Sequence, residues 1–388
     1  MVTLGSAHKL VHILFAKCPV FWGLLRIDYV KLFMNDPLMI LNFNYGDFMK
    51  RLIVCLISLV FLSLPALAYN KFPGKGKVAR PARATWDTGY FQEALIGRAL
   101  TTLGYKVKRV KELQNSLFYK TVTLGDVDYW ANGWFPMHWA QVPKNFKEKA
   151  GIYGAVVTAG GLQGYLMSKK LVDQYNIKSL DDFRRPEVKK AFDTDGDGKA
   201  DLVGCPPGWG CAGIIAHHMK TYDMGNHINV TQAAYAPSMA GVLAKHKNGQ
   251  PVFFYTWAPN WTIFKLLPGR DVVWMNVPKI VPTEAQESGR ELMTVSGVDG
   301  AVTDPVKLGF VVADIQIVAN KKFMDKNPAL KSFFAAFTLP LSDINEQNTK
   351  MQDGENSNQD IQKHVDQWIA KNGKKWNYWL ELARTAAE

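Results

Sequence analysis

Apolar side chains recur along the chain with two spacings, which predict alternating helices and strands. Helical spacing marks residues 88–104, 169–175, 328–338 and 360–371, and the first of these ends at Gly104. Alternating or continuous apolar runs predict strands over 105–110, 164–168, 252–256, 272–275 and 310–318. Strands that alternate with helices indicate an α/β fold with mostly parallel sheets.

The stretch around Met49 has a different pattern. Met49 is followed by two basic residues, a charge-free run over Leu52–Leu64 and the small-residue sequence Pro65–Ala68. A basic n-region, an apolar core and a small-residue cleavage site are typical of a secretory signal peptide. An apolar core of 13 residues is too short to span a bilayer. We therefore predict a signal peptide over 49–68 that is cleaved after Ala68, and an exported product.

Residues 1–48 precede this signal peptide and carry scattered charges without a sustained period. We interpret them as an upstream extension that results from a misassigned start. The alternative is a true cytoplasmic extension on an uncleaved anchor. Residues 69–84 are rich in Lys, Pro and Gly, which predicts a loose lead-in to the folded part.

Composition and charge exclude several classes of protein. The 388 residues are 47% apolar, which excludes a disordered chain, and they lack the repeated long apolar stretches of a polytopic membrane protein. Residues 69–388 keep 40 basic and 31 acidic side chains, a net charge of +9. The basic residues are scattered rather than concentrated on one face, so we expect no nucleic-acid partner. A length of 320 residues predicts two domains.

Two cysteines follow the predicted cleavage site, Cys205 and Cys211. In an oxidising compartment a disulfide between them is expected to persist. The alternative is two unrelated free thiols.

Three segments combine Trp with Pro or Gly: 132–139, 204–213 and 255–261. A single Trp in such a segment is more often part of the hydrophobic core, but three tryptophans in loops that contain Pro or Gly favour a ligand-binding site. In the second segment the cysteines enclose a five-residue loop with Trp209 at its tip. A helix is predicted directly after Cys211, which would place the amides of Gly210 and Cys211 at its N-terminus, where carboxylate or phosphate binds well.

These motifs resemble the periplasmic glycine betaine/proline betaine-binding proteins of osmoprotectant ABC transporters. The resemblance runs from about Pro73 to the C-terminus. It rests on the cysteine loop, the Trp-x-Pro-x-His segment from Trp134, the Tyr-Thr-Trp-x-Pro segment from Tyr255 and the stretch Leu339–Asn345. Small departures flank the proposed ligand residues, at Gly133, Phe135, Ala258 and Asn260.

The resemblance implies a two-lobe α/β fold of the periplasmic binding-protein type that closes on its ligand. Lobe one would comprise 69–163 plus 312–388 and lobe two 164–311, with crossover strands near Gln163–Leu166 and Val311–Gln316. It further implies a periplasmic, monomeric protein that requires no cofactor and delivers its ligand to a membrane permease powered by a separate ATPase.

The resemblance also implies the ligand residues. Trp134, Trp209 and Trp257 would surround the quaternary ammonium group. The side chain of His138 and the backbone amides of Gly210 and Cys211 would bind the carboxylate. From the residues alone, His138 is equally a loop histidine with satisfied hydrogen bonds.

Physical chemistry supports this assignment, because a trimethylammonium group has no N–H to donate and spreads its charge over methyl groups. Aromatic faces attract such a cation by roughly 0.5–2 kcal/mol each. A ring of carboxylates would instead attract hydrated metal ions. The ligand's own carboxylate needs hydrogen-bond donors, which helix-end amides and His138 supply.

A further motif predicts a structural calcium site. Asp193, Asp195, Asp197 and Asp201 occupy positions 1, 3, 5 and 9 of a calcium-loop pattern, but Gly204 stands where the bidentate Glu at position 12 belongs. The alternative is an Asp/Gly turn without a metal.

The chain lacks the G-x-S-x-G, H-E-x-x-H and phosphate-loop motifs, so we expect a non-enzymatic protein without catalytic residues. One alternative is a secreted calcium-dependent hydrolase whose aromatic loops hold sugar rings. Another is a receptor for choline, which lacks a carboxylate, so that replacing His138 would matter little.

Overall fold

The computed structural model of the chain describes residues 70–86 and 88–387. The predicted extension over 1–48 and the predicted signal peptide over 49–68 lie outside these residues. Among the residues described, no helix is both long and apolar enough to cross a membrane.

Strands and helices are numbered here in chain order. The strands are β1 Val78–Ala79, β2 Ala82–Arg83, β3 Lys106–Val107, β4 Lys111–Glu112, β5 Tyr129–Phe135, β6 Ala150–Ser168, β7 Ala200–Val203, β8 Ile228–Thr231, β9 Phe253–Ala258, β10 Val272–Trp274, β11 Thr294–Val295, β12 Val306–Lys307 and β13 Ala313–Asn320. The helices are α1 Thr88–Thr102, α2 Asn115–Leu124, α3 Phe146–Lys149, α4 Lys169–Tyr175, α5 Pro186–Phe192, α6 Gly210–Thr221, α7 Tyr235–Lys247, α8 Thr262–Lys265, α9 Lys321–Asp325, α10 Pro328–Ala336, α11 Leu341–Gln352, α12 Asn358–Lys371 and α13 Gly373–Thr385. Three 3₁₀ helices span Met137–Gln141, Leu180–Arg184 and Glu284–Met293.

The central sheet has the strand order β5-β13-β6-β9-β7-β8, and β10 also pairs with β6. Strand β13 is antiparallel to both β5 and β6, and β6 is antiparallel to β9 and β10. Only the pairs of β7 with β8 and with β9 are parallel in this sheet. The prediction of mostly parallel sheets is therefore wrong, because β13 returns from late in the chain and inserts between β5 and β6.

Strand β6 changes partners along its length of 19 residues. Residues 150–161 pair with β13, whereas residues 162–167 pair with β9. The predicted crossover at Gln163–Leu166 lies just after this change, and the one at Val311–Gln316 overlaps the start of β13. The lobe boundaries themselves stay a prediction.

Gly161 lies where β6 changes from pairing with β13 to pairing with β9, and this position has no room for a side chain. A Cβ atom there would lie 2.7 Å from the Ala313 carbonyl oxygen and 2.8 Å from Cζ3 of Trp134. The glycine therefore allows β13 and the Trp134 indole to pack directly against the β6 backbone.

Most predicted elements are confirmed within a few residues. Helix α4 has the predicted bounds, and α1, α10, α12, β9 and β10 lie close to theirs. The predicted strand over 105–110 is instead two short strands, β3 and β4. The pattern missed the short helices α3, α5, α8 and α9 and the longer helices α2, α7, α11 and α13, of which α11 and α13 have many polar residues.

The predicted loose lead-in is wrong in part. Strand β1 pairs with β3 and β2 with β4, both in parallel. Ala79, Ala82 and Ala84 are fully buried between these pairs and the rest of the fold. The sequence did not predict this burial, because small apolar residues among Lys, Arg and Pro form no clear hydrophobic pattern.

Candidate ligand-binding site

A cavity lies where β5, β6, β9 and the start of α6 meet, and it encloses about 280 Å³ of space between protein atoms, part of it open to solvent. Its wall includes all six residues predicted to bind the ligand: Trp134, His138, Trp209, Gly210, Cys211 and Trp257. The sequence did not predict the other lining residues, which are Trp86, Asn115, Met137, Gln163 and Tyr255. These described lining residues include no carboxylate, so the cavity does not have the chemistry of a metal site.

Indole rings form the apolar part of the wall. The Trp209 ring lies 5.2 Å from the Trp86 ring and 5.6 Å from the Trp257 ring, measured between centroids, and both pairs meet edge to face. Tyr235 packs behind Trp257 at 4.6 Å. Because Trp86, Trp134 and Trp257 are each at most 6% exposed, their positions are set by packing before any ligand arrives.

Asn132 positions two of these rings. Its Oδ1 accepts hydrogen bonds from the indole N–H groups of Trp86, at 2.9 Å, and of Trp134, at 2.6 Å. The side chain is 1% exposed. One buried amide oxygen therefore binds the polar edges of both indoles and fixes their orientation.

His138 follows β5 in the 3₁₀ helix and is fully enclosed. Its Nδ1 accepts from the backbone N–H of Trp134 at 3.1 Å and lies 2.6 Å from the Tyr119 hydroxyl. Burial raises the pKa of Tyr119 well above its ordinary value, so this hydroxyl keeps its proton and donates it to Nδ1. The remaining ring nitrogen, Nε2, must then carry the imidazole proton.

Burial lowers the pKa of His138 to about 3, so the ring is neutral at physiological pH. Its Nε2 lies 3.0 Å from the amide nitrogen Nδ2 of Asn115, which donates to Oε1 of Gln141 at 2.9 Å. Because Nδ2 of Asn115 is itself a donor and cannot accept from this N–H, a ligand carboxylate would be a suitable acceptor for it. The contacts are equally those of a packed histidine, so the ligand contact of His138 stays a prediction.

The loop between the cysteines brings the helix N-terminus to the cavity. Cys205 and Cys211 form a disulfide with their Cα atoms 6.0 Å apart, which excludes the alternative of free thiols. Trp209 caps α6, so the first helical amides are those of Gly210 and Cys211. The first N–H groups of a helix have no partner within it and carry partial positive charge.

Gly210 allows the close approach of this loop to the segment that carries His138. A Cβ atom at Gly210 would lie 2.9 Å from Cγ and 3.0 Å from Sδ of Met137. A side chain at position 210 would therefore displace the Met137 side chain, which also lines the cavity.

Two hydrogen bonds join the predicted lobes beside the cavity. The indole N–H of Trp209 donates to Oγ1 of Thr85 at 3.0 Å, and Nε2 of Gln141 donates to the Gly208 carbonyl at 3.2 Å. The segments that the sequence assigned to opposite lobes are thus in direct contact.

Three of the four carboxylates of the predicted calcium loop lie close together. Carboxylate oxygens of Asp193, Asp195 and Asp197 lie within 4.8 Å of one another. The Asp201 carboxylate does not join this group and accepts from the backbone N–H of Thr194 at 2.7 Å. Because these groups also hydrogen bond within the loop, the Asp/Gly turn accounts for the geometry and calcium stays a prediction.

The sequence is similar to proteins that are named for binding glycine betaine. Residues 79–371 match the family described as the substrate binding domain of ABC-type glycine betaine transport system. The chain is 39% identical over 327 residues to the glycine betaine-binding periplasmic protein OusX of Dickeya dadantii, covering 84% of this chain and 96% of that protein. It is 39% identical over 315 residues to the glycine betaine/proline betaine-binding periplasmic protein of Escherichia coli, covering 81% and 92%.

Solved structures support the same fold. Lactococcal OpuAC in its closed, glycine betaine-bound conformation has a TM-score of 0.59 at 17% identity, covering 78% of this chain and 99% of that one. A choline-binding protein in complex with choline has a TM-score of 0.60 at 16% identity, covering 80% and 98%. These likenesses confirm the predicted fold class.

Proposed function

The chain belongs to the family of substrate-binding domains of ABC-type glycine betaine transport systems, and on this basis we propose that it captures glycine betaine, proline betaine or a related quaternary-ammonium osmolyte for import. The role of the family is binding, not catalysis, as the sequence predicted. The comparisons lend no support to the alternative of a carbohydrate-active hydrolase.

The observation that carries the proposal is a cavity with indole walls, no acidic lining residue and hydrogen-bond donors among its lining residues. Indole faces attract a methylated cation through their quadrupole, and they exclude the hydrated inorganic cations that carboxylates would bind. In this proposal Trp134, Trp209 and Trp257 surround the ammonium group, and Trp86 adds a fourth ring.

The donors would bind the ligand's carboxylate. The amides of Gly210 and Cys211 supply two N–H groups at the helix N-terminus, and the neutral His138 supplies a third from Nε2. None of these donors carries a full positive charge. They can therefore bind the carboxylate without strongly repelling the ligand's ammonium group.

The proposed ligand lies between the two lobes, with Trp134 and His138 from 69–163 plus 312–388 and the other four ligand residues from 164–311. A ligand that contacts both lobes stabilises the closed state by its differential affinity. A closed, monomeric, periplasmic protein would then deliver the ligand to a membrane permease, and the mature chain would begin after Ala68.

Titration of the protein with glycine betaine tests the proposal. We expect a saturable change in tryptophan fluorescence and a calorimetric binding isotherm. Trp209→Ala should weaken binding by about tenfold or more, because it removes an aromatic face worth about 1–2 kcal/mol and opens the cavity. Trp139→Ala is the matched control, since Trp139 lies in the same segment as His138 but outside the cavity.

Two results would contradict the proposal. One is the absence of saturable binding to glycine betaine, proline betaine and choline alike. The other is normal glycine betaine binding by a variant in which both Trp209 and Trp257 are replaced by alanine.

A further inference from the structure

Gln163 is a buried polar residue in the cavity wall to which the predicted ligand contacts assign no role. It lies in β6, directly opposite Trp257 of β9 in the sheet register, and its side chain is 2% exposed. Its Oε1 accepts a hydrogen bond from the Tyr255 hydroxyl at 2.7 Å. Its Nε2 has no hydrogen-bond partner among the residues that the structure describes.

The Tyr255 hydroxyl explains why the amide nitrogen, and not the oxygen, is left over. The Tyr255 hydroxyl donates to Oε1 of Gln163 at 2.7 Å, and burial raises the pKa of Tyr255 well above its ordinary value, so the hydroxyl keeps the proton that this bond needs. That proton satisfies Oε1 and holds the amide in one orientation. The two N–H groups on Nε2 then remain in the wall of a cavity lined by indoles.

An unpaired N–H in such a wall has a chemical consequence for the ligand. A buried donor without a partner is unfavourable, and its partial positive charge repels a cation. A quaternary ammonium group offers no acceptor, whereas a carboxylate offers two oxygens. A hydrogen bond to a charged acceptor is also roughly twice as strong as one to a neutral hydroxyl.

We propose that Gln163 is a ligand-binding residue whose Nε2–H donates to the carboxylate of the bound ligand and selects betaines over choline. The proposal rests on the proposed function, because it concerns the same cavity. It adds a donor from the strand that passes between the two halves of the sheet. It also names the ligand class as quaternary-ammonium compounds that carry a carboxylate.

Calorimetry with glycine betaine and choline on matched variants tests this role. Gln163→Met keeps the volume but removes the donor, together with the acceptor of the Tyr255 hydroxyl, so we expect glycine betaine to bind about tenfold or more weakly and choline to change by less than about threefold. Gln163→Glu replaces the donor by an acceptor, so glycine betaine should lose more affinity than in Gln163→Met and choline should gain. Thermal unfolding establishes that each variant is folded.

Gln286→Met is the control. Gln286 is 1% exposed, its Oε1 accepts from the Thr283 hydroxyl, and its Nε2 also lacks a partner in the described part of the chain. It lies outside the cavity wall, so the same chemical change there should leave both affinities unaltered.

A measurement on the unmutated protein does not depend on the folding of variants. In ¹⁵N-labelled protein the side-chain NH₂ signals of Gln163 should shift on addition of glycine betaine and far less with tetramethylammonium, which has no carboxylate. Equal glycine betaine affinity of Gln163→Met and unmutated protein, or full affinity in Gln163→Glu, would overturn the role of Gln163. Failure of the unmutated protein to bind glycine betaine would instead overturn the proposed function.

Discussion

At the scale of single residues, tryptophan shows what local sequence can and cannot indicate. The family resemblance selects Trp134, Trp209 and Trp257 from three segments that contain Pro or Gly, and all three line the cavity. Trp86 lines it as well, although it follows the predicted lead-in and no motif marks it. Its place in the wall depends on Asn132, which lies 46 residues away in sequence. Trp379 and Trp368 stack on each other and belong to the core.

Glu93 on α1 is a buried carboxyl group outside the cavity. Burial raises its pKa to about 7, and the nearby charge of Arg83 opposes this only in part. Between the ordinary value of 4.5 and about 7 the folded protein binds this proton more tightly than the unfolded chain does. The contribution of Glu93 to the free energy of unfolding therefore falls as pH rises through this window.

Glu93→Gln removes this titration. Relative to the unmutated protein, its free energy of unfolding should rise between pH 4 and pH 8 by on the order of 3 kcal/mol. Urea unfolding at both pH values measures the difference. Glu148→Gln, at an exposed position of α3, should leave the pH dependence unaltered. A constant difference between pH 4 and pH 8 would show that Glu93 does not titrate in this window.

At the scale of elements, the start of α6 and the 3₁₀ helix over Met137–Gln141 form the donor end of the cavity. Helix α6 was predicted from the sequence after Cys211, and the structure confirms it. The contact between the two helices was not predicted, because it depends on Gly210 lying against Met137. The sequence shows where a glycine stands, but it does not show which distant residue packs against it.

Gly210→Ala should therefore displace the Met137 side chain in the cavity wall and weaken glycine betaine binding by about tenfold, because it changes the shape of the wall beside His138. Gly213→Ala in the same helix is the matched control, since a Cβ there meets nothing within 4 Å. It should keep full affinity and stabilise the fold by about 0.5–1 kcal/mol through helix propensity. Calorimetry and thermal unfolding of both variants check these outcomes, and equal affinities would contradict the close-contact argument.

The loop over Asp193–Asp201 allows a test of the predicted calcium. Three carboxylates lie together, and like charges at this distance repel each other unless a cation is bound. Millimolar calcium should therefore raise the unfolding temperature measured after treatment with a chelator, and Asp195→Asn should abolish the increase. An unfolding temperature that does not respond to calcium would identify the loop as a metal-free turn.

At the scale of the whole molecule, hydrogen bonds between distant segments lie beside the cavity. The Thr85–Trp209 and Gln141–Gly208 hydrogen bonds connect residues that are 124 and 67 positions apart. If the two lobes close on the ligand as proposed, contacts of this kind form only in the closed state and change the apparent ligand affinity through the closing equilibrium.

Thr85→Ala should weaken glycine betaine binding by about two- to tenfold, the effect expected from one lost hydrogen bond. Its measurement by calorimetry is paired with Thr101→Ala, whose hydroxyl bonds only within its own helix, to the Gly97 carbonyl. The control should keep full affinity. Equal losses in the two variants would show that the Thr85 contact does not act on closure.

Local patterns in the sequence predicted part of this protein: helices α1, α4, α6, α10 and α12, several strands and the loop between the cysteines. The resemblance that its motifs carry indicated the binding family and six lining residues. These follow from patterns that neighbouring residues complete, such as apolar periodicity or a Trp between glycines and cysteines. The tertiary structure decided the antiparallel course of β13, the buried strands of the lead-in, and the inclusion of Trp86, Asn115 and Gln163 in the wall. Each depends on segments far apart in the chain, because strand pairing and cavity lining are set by which distant backbones pack together.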